Sequence, residues 1–511
     1  MKAIYKYTLM SLLGVGMFTA CSEDLLETSP TTAIATNEMA LSSSKAISAI
    51  DGMYRLFYTY GYTSQWESEE FGLTAFNLTA DLMGDDHIQS KSGSGWFYYD
   101  YRYDVKGDYT HNGGRPYGVW NFFYTLIANA NYITAAEETM EGDPSEVKYV
   151  VGQAYAIRAF SYFMLAQWYA RTLVGHENEA CVPIYTDPTD KTTQGKKRET
   201  VADVFARIDT DIIKAEELLS ATTKARNSKS HLGLGEVYGL HARIAQVEEK
   251  WEAALDYATK AIAEAKKEGI DVASVSQFAG LNNVSAQNVM WGMKIISDQT
   301  TGYASFFTHM DADLGKYGDA APQQITRSLY AKMGDKDERR AWWDPNHPNN
   351  GDNGYQQEKF KFSNYQTWEG DYIFMRVEEM YLIKAEAECM LEHDATAQQT
   401  LNTLIQTRDK DYECTKTGNK LGTLTSDKTG SLREEIINQR RIELWGEFGR
   451  IYDIRRLHQG FKRTTDDGHP SAGIVEGTED PESYKWVMVI PQSEFDGNAN
   501  MDEDKDQNPF D

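Results

Sequence analysis

Apolar residues recur at helical spacing along much of the chain. Ile47, Ile50, Met53, Tyr54 and Phe57 define a first helix. Helical patterning resumes over 120–138 and 145–170. In the second of these, Val150, Ala154, Ile157, Ala159, Phe160, Phe163 and Leu165 set small residues among large ones, so that neighbouring helices can approach closely. Residues 201–219 form another amphipathic segment, and Pro183 and Pro188 mark the loop before it. Residues 232–247 and 251–267 read as two helices joined by a three-residue turn. Their Tyr238, Ala242, Trp251, Ala254, Ala258 and Ile262 sit close to the small–large pattern of a tetratricopeptide repeat. Equivalent pairs are expected from 145–170 with 201–219 and from 377–391 with 396–407, followed by a helical stretch over 431–457. Each pair buries its apolar face only by stacking on neighbours. The predicted fold is therefore mostly α, a tetratricopeptide-like α-solenoid of helix pairs. It is expected to hold few short strands, one of them the apolar run 486–490 ended by Pro491.

Two stretches break this pattern. Residues 58–118 are rich in Gly, Tyr, Asp and Trp without helical period. Residues 270–370 carry Tyr303, Phe306, Phe307, Tyr317, Trp342, Trp343, Tyr355, Tyr365 and Trp368, with the run DPNHPNNGDNG. Loops this long in a compact domain are functional or disordered, and the aromatic content argues against disorder. The two stretches are therefore read as functional loops, expected to meet in one pocket. The helical scaffold is expected mainly over 120–268 and 376–458.

Charge and composition narrow the partners. Of 511 residues, 77 are acidic and 51 basic, for a formal charge of -26. Such a surface repels phosphate backbones, which argues against nucleic acid as a partner, and it disfavours docking on anionic lipid. A neutral sugar carries no penalty. Tyr is abundant, at 31 residues, and suits half-exposed, hydrogen-bonding surfaces. There are four cysteines; if Cys21 is used otherwise, an odd number remains without zinc-like spacing, so neither a disulfide framework nor a zinc site is expected.

The first twenty residues read as a signal peptide. Lys2 and Lys6 precede an uncharged, mostly apolar stretch to Ala20 that is too short to span a bilayer. It ends in Thr19-Ala20-Cys21, so cleavage leaves Cys21 as an N-terminus able to carry lipid, and acyl chains anchor a protein without a transmembrane helix. Phe18 departs from the usual Leu of a lipobox, which keeps cleavage by the ordinary peptidase open as an alternative. Residues 21–45 form a lipidated leader that opens with the acidic run Ser22-Glu23-Asp24, and 46–511 form the folded domain. No cofactor is expected beyond the covalent lipid on Cys21.

Several segments together resemble the SusD/RagB family of outer-membrane nutrient-binding lipoproteins. They are the lipobox with its acidic follow-on, YVVGQAYAIRAFSYFMLAQWYA at 149–170, RVEEMYLIKAEAECM at 376–390, REEIINQRRIELWGEFGRIYDIRRLH at 433–458, and the closing VMVIPQSEFDGNANMDEDKDQNP at 487–509. The resemblance implies a lipid-anchored protein on the outer face of the outer membrane. It would carry a carbohydrate ligand site on its irregular half and close over a SusC-like TonB-dependent barrel. It also implies that the region of Asp85 and His87, and Tyr303 and Tyr317, lie near ligand contacts.

The residues themselves offer matching chemistry. Aromatic faces cover the C–H face of a sugar, while carboxylates, amides and Arg engage its hydroxyls. Trp96, Tyr98, Tyr99 and Tyr101 supply rings within one short segment, with Asp100 and Arg102 as the polar groups among them, while Asp85 and His87 are candidates through the resemblance. The charged residues Arg440, Arg441, Glu443, Glu447, Arg450, Asp453, Arg455 and Arg456 are spaced for i,i+3 and i,i+4 ion pairs on one helix and read as structural. Cys389 reads as a small core residue.

Catalytic signatures are broken. His176-Glu177-Asn178-Glu179-Ala180 lacks the second His of a zinc-protease motif, and Gly233-Leu234-Gly235 opens a dinucleotide motif whose third Gly is one place late. Asp311 to Gly315 begins like a calcium loop, but its twelfth position is Pro322, so no calcium ligand set follows. The reading is a non-enzymatic glycan-capturing lid. A peptide-capturing lid, an all-helical glycoside hydrolase and an adhesive scaffold stand as alternatives.

Overall fold

The computed structural model describes residues 40–61, 67–110, 114–190, 192–313, 315–347 and 354–510; the signal peptide and Cys21 lie outside them. After α1 (Ser43–Leu56) and α2 (Leu73–Leu82), helices α3 (Arg115–Ala135) and α4 (Pro144–Tyr169) begin the scaffold. Asp143 caps α4 by accepting from the backbone of Ser145 and Glu146, with Pro144 at the first helical position. A capping box of Thr200 and Asp203 starts α5 (Val201–Ser220). Gly152 allows α4 and α5 to touch, since a Cβ there would lie 2.9 Å from Leu219 Cγ. The pair is also joined by Arg158, which donates to both carboxylate oxygens of Asp211 at 2.8 Å and to Asn131 of α3.

The remaining pairs follow the same plan: α6 (Leu234–Val247) with α7 (Trp251–Lys267), and α8 (Val377–Met390) with α9 (Asp394–Ile405). Buried Arg243 of α6 reaches Glu379 of α8, and Gln246 reaches Glu386 at 2.7 Å, so successive pairs are tied by polar contacts inside the apolar stack. The chain is mostly α, built on a tetratricopeptide-like scaffold as its periodicity predicts.

Three elements differ from the sequence expectation. First, α2 lies within the predicted irregular stretch. All ten of its residues are buried, so it has no polar face to create an amphipathic period. Second, the expected helix over 431–457 is two helices, α10 (Leu432–Glu443) and α11 (Arg450–Arg456). Gly446 and Gly449, at φ 76° and 101°, turn the chain between them. The Asp81 carboxylate of α2 fills the break, accepting from the backbone N–H groups of Gly446 and Arg450, each at 3.1 Å. Third, residues 486–490 are buried but form no strand. Met488 N–H donates to the Trp168 carbonyl and Ile490 N–H to Gln507 Oε1, so side chain and helix end replace a ladder.

Two small sheets organise the irregular half. β2 (Val289–Met293) pairs antiparallel with β6 (Tyr372–Arg376), interrupted by a bulge at Trp291-Gly292. A four-stranded sheet runs in the order β1-β3-β5-β4. Its β1 (His87–Gln89) comes from the first irregular stretch, while β3 (Gln323–Ile325), β4 (Trp343–Asp344) and β5 (Tyr355–Gln357) come from the second. His87 sits opposite Ile325, and this pairing stitches the two stretches together.

Candidate ligand-binding site

The two irregular stretches meet through their rings. Trp96 precedes the short helix Tyr98–Tyr101, its indole folded against Gly93, where a Cβ would lie 2.2 Å from Cζ3. Beneath it Phe97 is fully buried, 5.7 Å from the Phe71 ring, with the Arg115 guanidinium 5.1 Å from its own centroid. Arg115 in turn pairs with Asp100 and Glu69, each at 2.9 Å, which fixes the loop that presents Trp96.

From the second stretch, Ser305 caps the short helix Phe306–Met310, and Tyr317 opens the next, Tyr317–Ala320. Trp96 and Tyr317 lie 4.2 Å apart between centroids, Tyr317 and Tyr303 5.3 Å, and Tyr303 and Trp368 4.6 Å. Lys316 Nζ stands 3.2 Å over the Trp368 ring, a cation–π contact that holds the far end. The result is a continuous row of Trp96, Tyr317, Tyr303 and Trp368. Tyr303 is 54% exposed and the other three are half-buried. Trp368 has φ 63°, an unusual conformation for so large a residue.

His309 supports the row from below. Its ring lies 5.0 Å from Tyr317 and 4.9 Å from Phe97, and its Nε2–H donates to the Ser68 carbonyl at 2.7 Å. Burial, helped by the charge of Arg115 and opposed by the Ser68 bond, pushes its pKa down to about 4. Folded protein therefore binds this proton less readily than unfolded chain. Stability supplied by neutral His309 is complete above about pH 6.5 and is lost as pH falls toward 4, by at most about 3 kcal/mol. His309→Asn should flatten the pH dependence of the melting midpoint across that window. An unchanged slope would contradict this assignment.

Not every sequence-predicted residue reaches the row. Tyr99 is exposed and Tyr98 half-buried, with Arg102 over its ring at 5.7 Å. Tyr101 is buried, its hydroxyl 2.7 Å from His469 Nδ1 and the Arg463 guanidinium 4.3 Å from its centroid. Asp85 and His87 are buried as well. Asp85 accepts from Arg450 at 2.9 Å, Arg441 at 3.3 Å and Thr425 at 2.5 Å. His87 lies 2.6 Å from Asp81 and stacks on Trp445 at 4.1 Å. In this structure these three side chains are occupied by the core and turned from any surface ligand. The two stretches do meet, but their rings form an exposed row where one pocket was expected. Trp368, Lys316 and His309 were not picked out as site residues, since ring content alone does not say which aromatics of a long loop share a surface.

The charged residues at 440–456 are structural, yet their pairs are mostly not along one helix. Arg456 and Asp453 make an i,i+3 pair at 2.8 Å, whereas Arg440 reaches Asp453 across the break and Arg441 reaches Asp85 and Asp86. Nearer the row, Asp313, His347 and Glu358 bring possible metal-ligand atoms within 4.8 Å of one another. Lys361 already places its ammonium on this group, paired with Asp313 and 2.6 Å from Glu358, and so supplies the positive charge a metal would bring.

A stack of helix pairs thus carries an exposed row of rings on an irregular half. The chain belongs to the SusD family: a family profile described as "Starch-binding associating with outer membrane" matches residues 37–245, and the SusD family profile matches 329–510. It is similar to the SusD-like protein P2 of Formosa agariphila, 23% identical over 97% of this chain and 98% of that one. A SusD-like carbohydrate binding protein from Bacteroides vulgatus shares the fold at TM-score 0.76 and 24% identity, covering 91% of this chain and 98% of its own. Surface glycan-binding protein A from Bacteroides fluxus does so at TM-score 0.64 and 16% identity, covering 91% and 99%.

Proposed function

We propose that this protein captures oligosaccharides or polysaccharide fragments outside the cell and passes them to a SusC-like TonB-dependent barrel, without transforming them. The row Trp96–Tyr317–Tyr303–Trp368 is the observation that carries this reading. Its rings are exposed or half-exposed and held by buried contacts beneath, an aromatic surface of the kind that covers the C–H face of a sugar. The formal charge of -26 costs a neutral glycan nothing. Names of relatives, a carbohydrate binding protein and a surface glycan-binding protein, point the same way. No described helix is long and apolar enough to cross a membrane, and lipid on Cys21 is the proposed anchor to the outer membrane.

Calorimetric titration of the full chain in detergent with neutral oligosaccharides, and with peptides as the rival class, tests this reading. Trp96→Ala should weaken glycan affinity tenfold or more, about 1.4–3 kcal/mol, with little change in melting midpoint. Binding of peptides alone, release of reducing ends, or full affinity in Trp96→Ala would each overturn it.

A further inference from the structure

A second site of the same chemical kind lies elsewhere on the scaffold. One face of α3 is not packed into the core: half-buried Tyr117, Asn121 and Tyr124 fall in register along it, with Trp120 and Asn131 set deeper. They line a cleft of about 460 Å³, within the range of small-molecule sites, roughly 300–1,000 Å³. Tyr185, Thr189 and Gln194 face them from the loop after α4. The third wall is the short helix α12 (Gln492–Gly497) with Asn498 just beyond. None of the ring-row residues lines this cleft.

Its walls are held by their own bonds. Trp120 Nε1–H donates to Glu494 Oε2 at 3.2 Å, and Tyr124 O–H donates to the Pro183 carbonyl at 2.7 Å. Asn131 Nδ2 donates to the carbonyls of Tyr185 and Asp187, each at 3.1 Å. Asn498 donates to the Lys196 carbonyl and to Glu494 Oε1, fastening the C-terminal wall to the loop. The Trp120 and Tyr124 rings lie 4.8 Å apart, and Tyr185 meets Tyr124 edge-on at 6.0 Å. Half-buried Tyr117 makes no hydrogen bond among the described residues, which leaves its hydroxyl for a ligand.

The lining selects a ligand class. Glu494 and Asp190 are its charged groups, with no cation among the described residues of the cleft, so an anion is repelled. A cation is not called for either. Both Glu494 oxygens already accept from Trp120 and Asn498, and Asp190 Oδ1 accepts from Thr192. What remains is the faces of the rings with the side chains of Tyr117, Thr189, Gln194 and Ser493 among them, a combination that suits a neutral, polyhydroxylated ring. We infer that this cleft between α3, the loop after α4 and α12 is a second, independent binding site for a neutral saccharide.

Saturation-transfer NMR on the full chain in detergent, with maltose, xylobiose and mannobiose as probes, tests this against the ring row. A row variant, Trp96→Ala with Tyr303→Ala, should still transfer saturation to at least one of these sugars. Adding Gly497→Trp should remove that signal roughly tenfold or more. A Cβ at Gly497 meets nothing within 4 Å, so the indole can fill the cleft without displacing the backbone. Tyr117→Ala provides a second variant that deletes a ring instead of adding one. Absence of transfer in the row variant, or transfer that survives both cleft variants, overturns the inference. Loss confined to the row variant would leave the proposed function standing. Loss on Gly497→Trp alone would uphold the cleft and remove the row reading.

Discussion

Replacing Glu443 by glutamine is expected to destabilise the fold by about 3–5 kcal/mol, more than any other single substitution named here. This carboxylate has no solvent exposure and gathers three guanidinium groups. Arg408 donates to it at 2.8 and 3.0 Å, Arg376 at 2.9 Å and Arg339 at 3.3 Å. Burial alone would raise its pKa; the three arginines outweigh that and hold the carboxyl well below the usual range. Around it the cations Arg339, Arg376, Arg408 and Lys359 are matched one for one by Asp337, Glu378, Glu443 and Glu447. The amide of E443Q keeps the shape but leaves a buried positive charge unmatched, at a site joining α8, α10 and β6. Denaturant titration of E443Q measures the loss, and a change below about 1 kcal/mol, the range of surface ion pairs, would show that the network is not load-sharing. Adding Arg408→Met should recover part of the stability by restoring the balance of charge.

Asp85→Ala comes second, at about 3 kcal/mol. Near-complete burial opposes ionisation of Asp85, but Arg450 and Arg441 overcome it and hold the carboxyl well below its ordinary value. A depressed carboxyl stabilises the fold above its unfolded pKa, near 4, and that contribution is lost as pH falls through the folded value. Wild-type protein should therefore lose stability in acid more steeply than D85A below about pH 4. Glycan affinity at neutral pH should change little in any D85A protein that remains folded, because this side chain faces Arg450 and Arg441 instead of the ring row. A selective loss of glycan affinity with unchanged stability would return Asp85 to the ligand site.

The scaffold was legible because amphipathic helices advertise themselves. Residues 201–219 and 251–267 carry an apolar stripe opposite a polar face, whereas 145–170 and 232–247 are buried along most of their length and show instead the small–large alternation that lets their partners stack on them. Helix α2 was not legible, since Leu73–Leu82 is buried all round like most of α4 but has ten residues against twenty-six, too few for a small–large spacing to show. The run 486–490 misled for the converse reason. Its apolar residues mark burial, but Trp168 and Gln507 satisfy its backbone where a neighbouring strand was expected.

The site divides in the same way. Ring-rich content marked the two irregular stretches that meet in the ring row, but content could not separate Trp96, half-buried in that row, from Tyr101, stacked under Arg463. Nor could it show that Asp85 would be taken up by arginines more than three hundred residues away in the chain.

What the sequence alone determined, then, is the helix-pair scaffold and the place of its two interruptions, because hydrophobic period is a local property written residue by residue. The tertiary structure decided which rings share a surface and which charges neutralise one another. Those outcomes depend on β1 pairing with β3 and on Asp81 filling the break before α11, contacts between segments that no local pattern relates.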